Sequence, residues 1–146
     1  MKYVYAPELQ ARMEVIVGAL GMDHVIIERV KCYRSSGSST KRTIARCHTI
    51  GKLMQQTIGC QAHYAIEFLE RFGRMSQEEQ DKVIIHELLH IPKTFGGGFR
   101  QHDFVCEENI EKLYTQLMRL EGKQVRSPTP VRSLLPSFFR VSFSGS

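Results

Sequence analysis

The chain has 146 residues, 42% of them apolar, which suits one domain of ordinary size with its own core. No run of 18 apolar residues exists, and the first residues lack an apolar segment of signal length. The sequence therefore excludes a membrane-spanning helix and predicts a cytoplasmic protein without membrane partners. The formal net charge is +5, which makes contact with acidic surfaces such as nucleic acid an open possibility.

The charge divides the chain into two parts. Residues 1–121 contain every acidic residue and are nearly neutral, and they are predicted to form the folded domain. Residues 122–146 carry a charge of +4 and hold three prolines and six serines without a hydrophobic period, which predicts a disordered basic tail. Such a tail could touch nucleic acid weakly through charge alone. The four cysteines include no C-x-x-C pair and are predicted to be reduced.

The first third of the chain predicts one helix followed by two strands. Residues 7–20 place four apolar side chains at spacings of 4, 3 and 4, typical of an amphipathic helix: Leu9, Met13, Ile16 and Leu20. Residues 24–34 and 41–50 are rich in β-branched and aromatic residues and predict two strands, paired antiparallel through the loop 35–40. Residues 51–59 favour a short helical or irregular link.

A third predicted strand, over residues 62–72, comes before a capped helix. Ser76 and Glu79 form a capping box, in which each side chain satisfies a free backbone donor of the other residue, so a helix is predicted to begin there. Pro92 cannot continue a helix, which places the predicted end at Ile91.

A glycine loop and a last helix complete the predicted domain. Gly96, Gly97 and Gly98 permit a sharp reversal of the chain. Residues 103–121 place apolar side chains at alternating spacings of 4 and 3, which predicts the helix. The predicted fold class is α+β, with a mostly antiparallel three-stranded sheet packed on an N-terminal helix, the capped helix and a C-terminal helix.

His86, Glu87 and His90 form the pattern H-E-x-x-H on the capped helix. Residues four apart lie on one side of a helix, so both imidazole rings can bind one metal ion. Glu87 can then take a proton from a water molecule on that ion, because the metal lowers the pKa of the water. This composition would give the pattern by chance only about 0.02 times per chain.

The rest of VIIHELLHI is aliphatic, so this helix is predicted to be buried nearly all round. Burial of His86, Glu87 and His90 without partners would cost several kcal/mol, and a bound metal with its water offsets that cost. The alternative interpretation is that the two histidines are hydrogen-bonded core residues and that the glutamate belongs to a buried ion pair.

His102 is the predicted third ligand, because the proline and the glycines let the chain turn back towards the helix. Three protein ligands leave one position for water, as a catalytic zinc ion requires. Asp103, Glu107 and Glu108 are the alternatives, although Asp103 is better placed to cap the last helix or to orient a histidine.

Other residues with chemical potential are assigned no role. Cys47, His48, Cys60 and His63 could be drawn as a second zinc site, but their spacing favours ordinary strand residues. Tyr64, Tyr114 and Arg100 could each donate a hydrogen bond to a tetrahedral oxyanion.

The segments HYAIEF and VIIHELLHIPKTFGGGFRQHD resemble the zincin metallopeptidases, and more narrowly the predicted metallopeptidase family of archaeal and phage proteins. The resemblance covers residues 24–121. It implies a zincin-like domain, zinc as the cofactor, ligands at His86, His90 and His102, and Glu87 as the general base. SprT-like proteases, which take a histidine after a longer loop, are the closest architectural analogy.

The sequence and the resemblance together predict a zinc-dependent peptidase. Its substrate, a peptide or protein, is expected to pair by strand addition with AHYAIEF, residues 62–68. The alternative is a non-catalytic module of the same fold that binds protein or nucleic acid and uses the metal for stability. A third possibility is a peptidase whose tail delivers DNA-bound proteins to the site.

Overall fold

The structure is a computed structural model that describes residues 1–100 and 105–122, and the backbone of residues 139–141. Its strands are β1 (Lys2–Tyr5), β2 (Val30–Ser36), β3 (Ala45–Thr49), β4 (Tyr64–Phe68) and β5 (Phe139–Val141). Its helices are α1 (Pro7–Ala19), α2 (Lys52–Ile58), α3 (Gln77–Leu89) and α4 (Glu107–Leu120). The predicted α+β class is confirmed. In the described residues, no helix is both long and apolar enough to cross a membrane.

The sheet differs from the predicted three antiparallel strands. Its strand order is β1-β2-β4-β3-β5. β4 lies between β2 and β3, parallel to β2 and antiparallel to β3, so the predicted hairpin of the first two strands is wrong. The outer strands β1 and β5 were not predicted; β5 lies within the predicted tail and runs parallel to β3. The division into domain and tail at residue 121 stays a prediction.

The central position of β4 follows from its side chains. Tyr64, Ile66 and Phe68 are buried on the side that the helices cover, and Glu67 on the other side is buried as well. A strand buried on both faces belongs in the middle of a sheet. Since β4 is hydrogen-bonded to a neighbour along both edges, it offers no edge to a peptide, and the expected strand addition at residues 62–68 is wrong.

The predicted strands were also too long. Residues 24–29 contain a turn and a short 3₁₀ helix at Ile27–Arg29, so β2 begins only at Val30. A second 3₁₀ helix at Glu70–Arg74 follows β4. The helical interpretation of residues 51–59 is confirmed by α2.

The helices cover one face of the sheet, with α1 packed against β2 and α3 against β3. The core between them contains fully buried residues from both layers, among them Met13, Cys32, Cys47, Ile66 and Leu88. Strand alternation turns Tyr33, His48 and Glu67 to the opposite face, which is called the outer face below.

Ion pairs fix the position of α3 between the other helices. Arg12 on α1 donates two hydrogen bonds to Asp81, both 2.9 Å long, and two to Glu121, both 2.8 Å long. Lys82 lies 2.8 Å from Glu111 on α4. Arg12 contacts each carboxylate through two hydrogen bonds, which fixes the geometry of these pairs. Asp81 and Lys82 are almost completely buried, so the contacts hold the orientation of α3 that the site needs.

Candidate metal centre

The start of α3 is set by a capping contact, as predicted. The Ser76 hydroxyl oxygen accepts a hydrogen bond from the backbone N–H of Glu79 at 3.2 Å, and the hydroxyl group lies 3.2 Å from the Glu79 carboxylate. The helix ends at Leu89 with His90 as its C-terminal capping residue, two residues before the predicted end. Every residue from 81 to 89 is buried, which confirms that the second half of this helix is enclosed.

His86 and His90 converge on one point. Their Nε2 atoms are 3.1 Å apart, and the rings meet edge to face with centroids 4.7 Å apart. Two nitrogen atoms bound to one tetrahedral zinc ion at about 2.0–2.1 Å lie about 3.3 Å apart. The two histidines therefore fit a shared metal ion with little movement.

His90 is held by the backbone of Arg100. Its Nδ1 atom lies 2.9 Å from the Arg100 carbonyl oxygen, and the Arg100 N–H donates a 2.7 Å hydrogen bond to the His90 carbonyl oxygen. A carbonyl oxygen only accepts hydrogen bonds, so the proton of a neutral His90 ring belongs on Nδ1. The lone pair then lies on Nε2, the atom that faces His86, in the arrangement common to histidine ligands.

The loop that carries Arg100 is held by Tyr64 on β4. The Tyr64 hydroxyl group donates to the Gly98 carbonyl oxygen at 2.8 Å and accepts from the Gly97 N–H at 3.1 Å. Burial raises the pKa of Tyr64, which keeps the hydroxyl group protonated and able to donate. The tyrosine suspected as an oxyanion donor is thus engaged with the glycine loop.

Gly97 must be a glycine for two reasons. Its φ angle of +100° lies in the left-handed region, and a Cβ atom there would stand 2.5 Å from Gln55 Nε2 and 2.6 Å from the Ile50 carbonyl oxygen. The same Gln55 amide donates to the Gly96 carbonyl oxygen at 3.0 Å. The predicted reversal at the triple glycine is confirmed, and it needs close approach to α2.

Glu87 is completely buried, and within the described residues neither of its carboxylate oxygens has a hydrogen-bond partner or an ion pair. Burial raises its pKa from 4.5 to about 8. The pKa of the neighbouring Cys47 thiol on β3 is raised by burial and, to a smaller extent, by the charge of Glu87. The alternative interpretation, in which this glutamate belongs to a buried ion pair, finds no support in the described part of the chain.

The third ligand stays a prediction, because His102 and Asp103 lie outside the described residues. Glu108 is 77% exposed and pairs with Lys112 at 3.4 Å. Within residues 1–100 and 105–122, no group of three or more histidine, cysteine or acidic side chains could hold a metal ion. The described residues thus bring together His86 and His90, and neither Glu107 nor Glu108 completes a site with them.

Among the described residues, the remaining candidates add no ligand to this centre. Cys47 and His48 are neighbours in a strand and point to opposite faces of the sheet. The Tyr114 ring lies under Lys82, 4.9 Å from its amino nitrogen, between α3 and α4. Neither Gln55 nor Tyr64 was predicted to support the loop; the only signal was that three adjacent glycines need partners to adopt one conformation.

Comparison with known proteins assigns the chain to a protein family. A family model described as "Putative phage metallopeptidase" matches residues 1–123, which is most of the chain. The chain belongs to this family. Among curated proteins and among solved structures, the comparisons find no match.

The phage metallopeptidase match runs from β1 to just beyond α4 and includes His86, Glu87, His90 and His102. It confirms the resemblance inferred from the sequence. The family description implies a metal-dependent hydrolase, and the two convergent histidines beside a buried carboxylate are the residues on which such chemistry would depend.

Proposed function

We propose that this phage metallopeptidase family member is a zinc-dependent peptidase, with His86, His90 and His102 as zinc ligands and Glu87 as the general base. The observation that supports this best is the pair of Nε2 atoms 3.1 Å apart beside a completely buried carboxylate. Zinc, when bound, would polarise the scissile carbonyl group and lower the pKa of a water molecule.

The role of Glu87 follows from its surroundings. Burial raises the pKa of Glu87 to about 8 in the metal-free protein, and a bound zinc ion would lower it again, because a nearby positive charge favours the carboxylate that accepts a proton. General acid–base groups work best when their pKa lies close to the working pH. Glu87 would take a proton from the attacking water, hold it, and deliver it to the leaving amine. A glutamine at this position has the same shape and can do neither.

The substrate would lie along β3. This strand packs against α3, and Cys47 at its centre is close enough to Glu87 for the carboxylate charge to raise the pKa of its thiol. An extended peptide adds to a sheet through backbone hydrogen bonds along an edge strand. The outer edge of β3 pairs with the three-residue strand β5 over Ala45–Cys47, so a peptide would take the place of β5 or continue from it.

The alternative function is a non-catalytic binding module in which the metal supports the fold. Glu87 disfavours it. A buried carboxylate without hydrogen-bond partners in the described residues lowers the stability of the fold by several kcal/mol, and a purely structural metal site has no use for it. A structural zinc ion also normally has four protein ligands.

Metal analysis and proteolysis of one set of variants test the proposal. Wild-type protein should contain one zinc ion per chain, and His86→Ala, His90→Ala and His102→Ala should each lose most of it. Glu87→Gln should keep the zinc ion and lose about 10²–10⁴-fold in the rate of cleavage of an unfolded protein such as reduced casein.

The exposed His63, on the far side of the sheet from α3, provides the control, because His63→Ala should retain both zinc and activity. Full activity in Glu87→Gln would contradict the mechanism. Wild-type protein that binds zinc but cleaves no unfolded protein would support the binding module instead.

A further inference from the structure

The positive charge of the folded domain is concentrated in one segment. Residues 29–66 contain seven lysine and arginine residues and no aspartate or glutamate. The rest of the chain up to Glu121 contains nine lysine and arginine residues and fifteen aspartate and glutamate residues. Because residues 29–66 form β2, β3, α2 and the start of β4, the sheet layer is basic and the layer of α1, α3 and α4 is acidic.

Part of this charge lies on the outer face of the sheet, among aromatic rings. Strand alternation places Lys31 and Arg46 there. Tyr5 and Tyr33, directly opposite each other on β1 and β2, meet edge to face with ring centroids 6.0 Å apart. Tyr3 and Tyr5 are 54% and 44% exposed. Exposed apolar side chains that form a contiguous patch, rather than scattered single ones, indicate a binding surface.

A pocket opens on this face. Its volume is about 360 Å³, within the range of small-molecule sites. Its lining is mainly apolar and includes Tyr33 and Ala65 of the outer face, and Arg29, Lys31 and His63 add basic groups to it. The site thus offers flat apolar surface next to positive charge, the combination that a nucleotide requires: a base to stack and a phosphate to neutralise.

Glu67, the acidic residue on the outer face of the sheet, should repel a bound anion only weakly. Glu67 is 2% exposed, accepts a 2.6 Å hydrogen bond from the Ser35 hydroxyl group and lies 2.8 Å from His48 Nε2. Arg46 is 3.7 Å from the same carboxylate. Its charge is therefore largely compensated within the face, and the potential above the sheet is set by the surrounding cations.

We propose that the outer face of the sheet binds single-stranded DNA, with bases stacked on Tyr5 and Tyr33, one base in the pocket, and phosphates beside Arg29 and Lys31. A duplex hides the flat surfaces of its bases, so tyrosine rings on an open sheet can stack only on an unpaired strand.

Base stacking and phosphate contacts require no 2′-hydroxyl group, the feature by which proteins distinguish RNA from DNA, so single-stranded DNA satisfies every contact proposed for this face. The Ser35 hydroxyl group and the Glu67 carboxylate could contact such a group, but they are bonded to each other. This binding face is separate from the histidine centre, and the inference depends neither on the proposed peptidase activity nor on the basic tail.

Fluorescence anisotropy with labelled oligothymidylate of about 15 nucleotides tests the proposal on the full chain. Tyr33→Leu should weaken binding about 5- to 100-fold, as the loss of one stacked base does, and Tyr33→Phe should restore it. Lys31→Ala should weaken binding and reduce the slope of log affinity against log salt concentration by about 0.7, the value for one phosphate of a single strand.

Lys112→Ala is the matched control, since Lys112 is also an exposed lysine, with 71% of its side chain accessible, and it lies on the helical side. It should bind like the wild type, and both lysine variants should melt at the wild-type temperature. Equal losses in Lys31→Ala and Lys112→Ala, or wild-type affinity in Tyr33→Leu, would overturn the proposal. Tighter binding of a duplex or of oligouridylate than of oligothymidylate would overturn it as well.

Discussion

Each face of the sheet buries one glutamate, and the two have opposite surroundings. Glu67 on the outer face has partners on both neighbouring strands, Ser35 and His48. Glu87, on α3 against the inner face, has no hydrogen-bond partner among the described residues, and burial raises its pKa to about 8. A buried carboxylate with partners contributes to the fold, whereas one without them lowers stability and indicates a site that works on something absent from the chain itself.

The same substitution at both positions turns this comparison into an experiment, and the larger effect is expected at Glu87. In metal-free protein the folded state keeps the Glu87 proton up to a pH of about 8, while the unfolded state releases it near 4.5. Wild-type stability should therefore fall between these pH values as the pH rises, and Glu87→Gln should lack this loss. At pH 8 the variant should be more stable by on the order of 3 kcal/mol.

Urea unfolding at several pH values, with a chelator present, measures this difference. The free energies of unfolding of wild type and Glu87→Gln should converge below pH 4.5, where the Glu87 carboxyl group is protonated in both states. Parallel curves across the whole range would mean that the Glu87 carboxyl group has a partner after all, and the contrast with Glu67 would then disappear.

Glu67→Gln should have the opposite sign. It replaces a carboxylate that accepts a 2.6 Å hydrogen bond from Ser35 and faces His48 and Arg46. Hydrogen bonds to charged groups contribute about 1.5–3 kcal/mol each, and the partial exposure of the two basic partners reduces their share. The variant should be destabilised by about 2 kcal/mol at pH 7, as measured by urea unfolding, with zinc content unchanged.

The smallest expected change is at Tyr64, which borders the pocket and is hydrogen-bonded to the glycine loop. Tyr64→Phe removes two hydrogen bonds to the glycine loop and should lower the free energy of unfolding by about 1 kcal/mol. Because that loop orients His90 through Arg100, zinc affinity should fall about tenfold, the lower end for the loss of a group that orients a ligand.

A competition titration with a zinc-binding dye measures the affinity, with Tyr5→Phe as the control at an exposed tyrosine. An unchanged zinc affinity in Tyr64→Phe would show that the loop holds His90 without help from β4.

The helices and the histidine pair could be predicted from the sequence because their determinants are local. The capping serine, the apolar spacing of α1 and the i, i+4 histidines all act within a few residues. The chain reversal at the three glycines could also be predicted, because glycine tolerates conformations that other residues avoid. Gly97 uses this freedom, with a φ angle of +100° and a close contact with Ile50.

The order of the strands could not be predicted, because it depends on contacts far apart in the chain. β4 lies between β2 and β3. There Glu67 accepts a hydrogen bond from Ser35 on β2 and lies 2.8 Å from His48 Nε2 on β3. Nothing in a local pattern indicates that a glutamate in a strand has two such partners. β1 has only exposed side chains, so no hydrophobic alternation marked it as a strand.

Tyr64 gives the two sites a means of communication. Tyr64 borders the pocket that opens on the outer face, while its ring packs against Phe95 on the inner side and its hydroxyl group holds the loop whose next residues orient His90. A pocket ligand that displaced Tyr64 would change the free energy of metal binding, and linkage would then require zinc to change the affinity for that ligand by the same factor. Tyr64 would then couple the two sites allosterically, and the same coupling constant could be measured from the binding of zinc or from the binding of the pocket ligand.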